Sequence, residues 1–232
     1  MLFNFPEGEV LYIDKPYKWT SFDVVGKIRL MLRQILGIKK IKVGHAGTLD
    51  PLATGLLIVC TGKFTKRIEE FQNLAKVYSG SMQLGATTPS FDLETAIDRT
   101  SDISHITNED IMNTARKFIG EQLQVPPMFS AVKINGKRAY EMARNKEECV
   151  IEPKKITISR FEITNIKLPV IDFIVECSKG TYIRSLVRDV GETLQCGAHL
   201  TSLRREAIGN ITVKDALSIE QFEYLISQQP KL

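Results

Sequence analysis

The strongest chemical signal lies in one loop between two apolar runs, Gly44-His45-Ala46-Gly47-Thr48-Leu49-Asp50-Pro51-Leu52-Ala53-Thr54-Gly55. Its glycines permit tight turns and close approach of a ligand or another strand. Pro51 fixes the backbone immediately after Asp50. On spacing alone two readings stand: a turn in which Asp50 caps neighbouring N–H groups, or a carboxylate aimed into a site. Other chemistries lack their residues. No GxxxxGK[ST] or GxGxxG cradles a phosphate or a dinucleotide. HExxH and GxSxG are missing. His45, His105 and His199 are far apart, with no cysteine at ligand spacing, so no metal site is expected. Catalysis would therefore fall to carboxylate, tyrosine, lysine or arginine.

The elements that must position this loop are legible around it. Val10 to Asp14 reads as a buried strand ended by Lys15-Pro16. Val24, Val25, Ile28, Leu32 and Ile35 recur at helical spacing, which predicts a helix capped by Ser21 and stopped by Gly37. Leu56 to Thr61 reads as a second buried strand, followed by a short helix through Phe71 and a strand around 77–83. Residues 85–112 carry a local charge of −5. Within that stretch, 85–106 reads as a loop, and a helix over 109–119 is expected to end at Gly120. Asn135-Gly136 suggests a hairpin turn, with a helix over 137–145. Strands near 154–166 and 170–177, a helix over Thr181–Leu194, a strand near 199–208 and a short helix from Ser218 complete the chain. Helices and strands are intermixed without a βαβ rhythm, which predicts an α+β fold with a mixed sheet.

Composition narrows the class. The chain has 232 residues, 43% of them hydrophobic, enough for one large domain or a domain with an insertion. No run approaches the roughly 18 apolar residues of a membrane span, and the N-terminus lacks the basic region of a signal peptide. Cys60, Cys149, Cys177 and Cys196 form no CxxC, so a reducing, cytoplasmic setting is expected. The net charge of +4 excludes a polycation. It is uneven: residues 1–45 sum to +4, 133–155 to +3 and 179–205 to +3. A modest total of this kind does not rule out nucleic acid, because a basic stripe can hide within it.

The loop resembles the catalytic motif of the TruB family of tRNA pseudouridine synthases over all its positions. The likeness continues through Asp14-Lys15-Pro16, Trp19-Thr20-Ser21-Phe22-Asp23-Val24-Val25 and Lys76-Val77-Tyr78. It resumes at Pro126-Pro127-Met128-Phe129-Ser130-Ala131-Val132-Lys133, Arg138-Ala139-Tyr140 and Ala143-Arg144. Lys179-Gly180-Thr181-Tyr182-Ile183-Arg184-Ser185-Leu186 and Leu203-Arg204-Arg205 complete it, in family order. Lys18 stands where the family usually has glycine, Glu94-Thr95 replaces an acidic-glycine step, and Glu206 replaces a threonine.

The resemblance implies an α+β pseudouridine synthase fold, a mixed, largely antiparallel sheet flanked by helices. It implies a single catalytic domain over 1–232, a thumb insertion at about 126–152 that is mobile without RNA, and no room after Gly209 for a C-terminal PUA domain. It implies isomerisation of uridine-55 in the tRNA T stem-loop by a monomer. Atoms are conserved in that reaction, so no cofactor is expected.

By the same resemblance Asp50 is catalytic, Arg184 pairs with it, and Tyr182 is a candidate for proton transfer. Tyr78 stacks on the flipped base, His45 meets displaced nucleotides, and Leu203 lies near the base. Lys15 supports the loop or contacts RNA. Arg204 and Arg205 are expected at phosphates, with Lys133 and Arg144 also at RNA. Residues alone leave Tyr182 and Arg184 as an ordinary amphipathic helix start, and two residues apart within a helix they share no face. They reach one site only if they precede or open the helix.

Overall fold

The apolar run that closes the glycine-rich loop becomes a strand buried on both faces. The computed structural model describes residues 3–130, 132–134, 136–145 and 151–229. The first elements are β1 (Val10–Lys15), α1 (Ser21–Leu36), β2 (Val43–His45), β3 (Ala53–Thr61), α2 (Ile68–Gln72) and β4 (Lys76–Leu84). There follow β5 (Ala86–Thr87), β6 (Arg99–Thr100), α3 (Asn108–Lys117), β7 (Gly120–Gln124), β8 (Lys133–Ile134), β9 (Lys137–Arg138) and α4 (Ala139–Arg144). The last are β10 (Lys154–Lys167), β11 (Val170–Cys177), α5 (Ile183–Thr193), β12 (Ala198–Ile208), β13 (Ile211–Thr212) and α6 (Ile219–Ser227). The fold is α+β, with a mixed, largely antiparallel sheet flanked by helices and two separate ribbons, β5–β6 and β8–β9.

The chain forms two compact units, one running to Tyr78 and resuming at Leu203, the other spanning Ser79–Ser202. In the first, β3 pairs antiparallel with β1 from Val10↔Cys60 to Lys15↔Gly55. It also pairs parallel with β12 at Leu203↔Ala53, Arg204↔Thr54 and Arg205↔Gly55. Side chains alternate across β3. Leu57 and Val59 join Ile13 and the α1 stripe of Val24, Val25, Ile28 and Leu32, together with Phe222 and Ile226 of α6. Leu56, Ile58 and Cys60 pack the opposite face with Ile208. Each such burial contributes about 2 kcal/mol.

Thr20, not Ser21, caps α1. Its hydroxyl accepts from the Asp23 N–H while the Asp23 carboxylate accepts from the Thr20 N–H. The helix ends, as expected, at Gly37 with φ 74°. The one-residue shift at the start releases the Ser21 hydroxyl for another task.

In the second unit β10 and β11 form a long antiparallel hairpin, with Phe161 and Phe173 edge-to-face at 5.7 Å. Strand β7 was not expected from the sequence. Its residues, Gly-Glu-Gln-Leu-Gln, have weak strand preference, and their partners Lys154–Ile158 lie far along the chain. Within 85–106, read as a loop, β5 and β6 form a short ribbon.

The β3–β12 approach depends on Gly55. Its φ is +102°, and a Cβ there would lie 2.4 Å from the Arg205 carbonyl oxygen. Gly55→Ala should therefore lower stability by about 2 kcal/mol or more, read as a drop in the denaturant midpoint.

Candidate active site

Asp50 sits half-buried between β2 and β3, and the backbone on either side of it is pinned. The Ser21 hydroxyl accepts from the Leu49 N–H at 2.9 Å and donates to the Leu49 carbonyl at 3.3 Å. Lys18 N–H donates to the Pro51 carbonyl at 2.9 Å. The Lys15 ammonium donates to the carbonyls of Pro16, Trp19 and Pro51. From β12, the Arg205 guanidinium donates to the Leu56 carbonyl at 2.7 Å and the Gly47 carbonyl at 3.1 Å. An irregular buried segment must find partners for its polar backbone atoms, and here two cations, a hydroxyl and a backbone N–H supply them.

Lys15 is 0% exposed and Arg205 1%. Burial pulls the Lys15 ammonium down to about 8. Asp50 opposes that shift, and the charge of Arg205 adds to it. Of the two uses open to Lys15, the geometry supports the loop. A phosphate contact by Arg205 would first have to break its bonds to Gly47 and Leu56, so the expected RNA role does not fit its placement. Its neighbour faces outward. Arg204 grips Asp14 through two bonds, 3.1 and 2.7 Å, and lies 3.8 Å from Glu206.

His45 ends β2, and its ring meets Phe22 edge-on at 5.5 Å. Burial, then the Arg205 charge, lowers the His45 pKa, so the ring is neutral at pH 7. Leu203 is half-buried opposite Ala53. Tyr78 is buried on β4, two residues after Lys76. The Lys76 ammonium donates to the carbonyls of Phe71, Gln72 and Leu74, fixing the end of α2.

In the second unit Tyr182 precedes α5 with extended backbone, and Arg184 is the second residue of the helix. This is the arrangement that frees the pair from a purely helical spacing. The buried Gln124 amide holds both polar backbone atoms of Tyr182, at 2.8 and 3.1 Å. Arg184 is 3% exposed. It donates to the carbonyls of Ser90 and Phe129 at 3.1 and 2.9 Å and lies 3.6 Å from the Asp92 carboxylate. Asp92 in turn accepts from the Glu94 N–H at 2.9 Å, and its carbonyl accepts from the Thr88 and Ser90 hydroxyls. Ser21 was expected only as a helix cap, and Gln124 and Asp92 were not singled out from sequence. Their roles depend on partners 28, 58 and roughly 90 residues away. The side chains of Lys133 and Arg144 lie outside the described residues, as do residues 131, 135 and 146–150 of the thumb. Among the described residues no cluster of three metal-ligating side chains occurs, and no helix is long and apolar enough to cross a membrane.

The sequence matches the TruB family pseudouridylate synthase N-terminal domain over residues 33–183. The chain belongs to the TruB family. Residues 184–230 match the tRNA pseudouridylate synthase B C-terminal domain. A tRNA pseudouridine synthase B of Phocaeicola vulgatus is 57% identical over 226 residues, covering 97% of this chain and 96% of that protein. One from Flavobacterium johnsoniae is 57% identical over 218 residues, with 94% and 95% covered. A chain in the crystal structure of a Cbf5-Nop10-Gar1 complex superposes with a TM-score of 0.70 at 27% identity. That match covers 95% of this chain and 54% of the other, so this chain spans about half its length. This TruB family member is an isomerase of the tRNA pseudouridine synthase type. Its departure from the family at Lys18 keeps a glycine-like backbone, with φ 66°.

Two outcomes follow for this TruB family member. The native chain sheds the Lys15 proton near pH 8 and the unfolded chain near 10.5, so over that window the unfolded state binds more protons and stability rises with pH. Denaturant midpoints of the wild type should gain on those of Lys15→Met between pH 8 and 10. Asp92→Ala removes a carboxylate 3.6 Å from the buried Arg184 guanidinium and should cost about 3 kcal/mol, measured by thermal or urea unfolding.

Proposed function

We propose that the enzyme converts uridine-55 of the tRNA T stem-loop to pseudouridine, with Asp50 as its catalytic carboxylate. The observation that carries this reading is the fixation of the Leu49-Asp50-Pro51 backbone by Ser21, Lys15 and Lys18. A reacting carboxylate must be aimed before substrate arrives, because positioning supplies much of the rate.

The reaction breaks N1–C1′, turns the uracil and joins C5 to C1′. C5 then loses a proton and N1 carries one, so atoms balance without an oxidant or a cofactor. In this reading Asp50 acts on the sugar or base through its carboxylate. Arg184 is the cation that pairs with it, and Tyr182 moves the proton. Tyr78 offers an aromatic face to the extruded base. His45 and Leu203 lie against the target and its neighbours. Arg204, Lys133 and Arg144 meet RNA, the last two from the thumb. Lys15 and Arg205 serve the loop rather than the RNA. A monomer in a reducing, cytoplasmic setting is part of the same reading, and the buried free thiols of Cys60 and Cys196 suit it.

Asp50→Asn and Asp50→Ala should abolish pseudouridine formation at position 55 of a tRNA transcript, followed by tritium release from C5, while the unfolding midpoint stays near that of the wild type. Activity near wild type in either variant overturns the assignment of Asp50. Release of free uracil would mark a glycosidase instead.

A further inference from the structure

We propose that Phe22 is a stacking platform for an unpaired nucleobase of the RNA loop, beside the target uridine. The inference rests on the reading that this face of the enzyme receives the tRNA T arm.

Phe22 is 70% exposed, and it is the sole exposed phenylalanine among the described residues. Its exposure is not a matter of a loose segment. Phe22 is the second residue of α1, directly after Ser21, whose hydroxyl is bonded to both polar backbone atoms of Leu49. Asp50 follows Leu49. The Phe22 Cα is thus tied to the Asp50 Cα through one side-chain clamp and one peptide step on each side. The ring is also restrained, edge-on to His45 with centroids 5.5 Å apart and planes at 88°. That arrangement leaves a ring face for a third group.

The surroundings suit a base rather than an apolar protein segment. Burial, then the Arg205 charge, lowers the His45 pKa and so favours the uncharged ring that stands edge-on to Phe22. Lys18, exposed nearby in sequence and held by its N–H to Pro51, offers a cation for the adjoining phosphate. Asp23, the carboxylate next to Phe22, is committed to the Thr20 N–H and hydroxyl at 2.7 Å each. An exposed ring, a second ring edge-on to it and a flanking lysine are the parts with which proteins hold splayed, single-stranded bases.

The test compares Phe22→Ala, Phe22→Leu and Phe22→Tyr with the wild type on a T-arm stem-loop and on a full tRNA transcript. Dissociation constants and single-turnover rates at saturating RNA are read separately. Phe22→Ala should weaken binding about tenfold with the saturating rate within about threefold, Phe22→Leu should remain weak, and Phe22→Tyr should bind nearly as wild type. A set of stem-loops with one loop base removed at a time should contain one position at which wild type and Phe22→Ala bind equally. Binding by Phe22→Ala equal to wild type, full recovery by Phe22→Leu, or an undiminished gap at every abasic position overturns the proposal. A wild-type enzyme that makes no pseudouridine in the T arm overturns the underlying reading instead, so the two failures are distinguishable.

Discussion

The geometry around Asp50 depends on two buried cations donating hydrogen bonds to backbone carbonyls. Lys15 serves Pro16, Trp19 and Pro51, and Arg205 serves Gly47 and Leu56. Both groups donate and neither accepts, so they suit a loop whose carbonyls turn inward. Desolvating an ammonium is costly, and that cost appears as the lowered pKa of Lys15. What it maintains is a loop that cannot relax one residue at a time. Gly55 lets β12 come close enough for Arg205 to reach, and Ser21 closes the other side. A carboxylate on such a frame needs little reorganisation when substrate binds.

The second unit solves a similar problem with different residues. Arg184 is buried, and its guanidinium is shared between two carbonyls and the Asp92 carboxylate. Asp92 is held by the segment 88–95, in which Phe91 adopts φ 63° under the guanidinium of Arg188. A non-glycine residue in that conformation costs about 1 kcal/mol. The hydroxyls of Thr88 and Ser90 bond the Asp92 carbonyl and help offset it. Gln124 does for Tyr182 what a neighbouring strand would do, pairing its N–H and its carbonyl.

Lys18 stands where the resemblance leads to an expectation of glycine, and its backbone keeps the positive φ that glycine adopts freely. The bond from its N–H to Pro51 binds the strained residue to the loop it supports. The adjacent arginines of β12 show a different economy. Successive side chains in a strand point to opposite faces, so Arg204 reaches the partly exposed Asp14 while Arg205 is drawn inside.

Much of this was legible along the chain. Apolar periodicity determined α1, β1 and β3, because a helical stripe and a continuous buried run are local patterns. The contiguous loop motif, with the further motifs in family order, carried the resemblance that pointed to the family and to the candidate residues. Tertiary structure decided which residues hold them. Ser21 looked like a helix cap until Thr20 took that role and left the hydroxyl to Leu49. Arg205 looked like a phosphate ligand until strand alternation buried it. Gln124, Asp92 and strand β7 carried no local signal, because each takes its meaning from a partner brought close only by folding. A sequence records residue types and spacing, whereas the pairing of a buried donor with its acceptor is decided by desolvation, which acts only once the chain has packed.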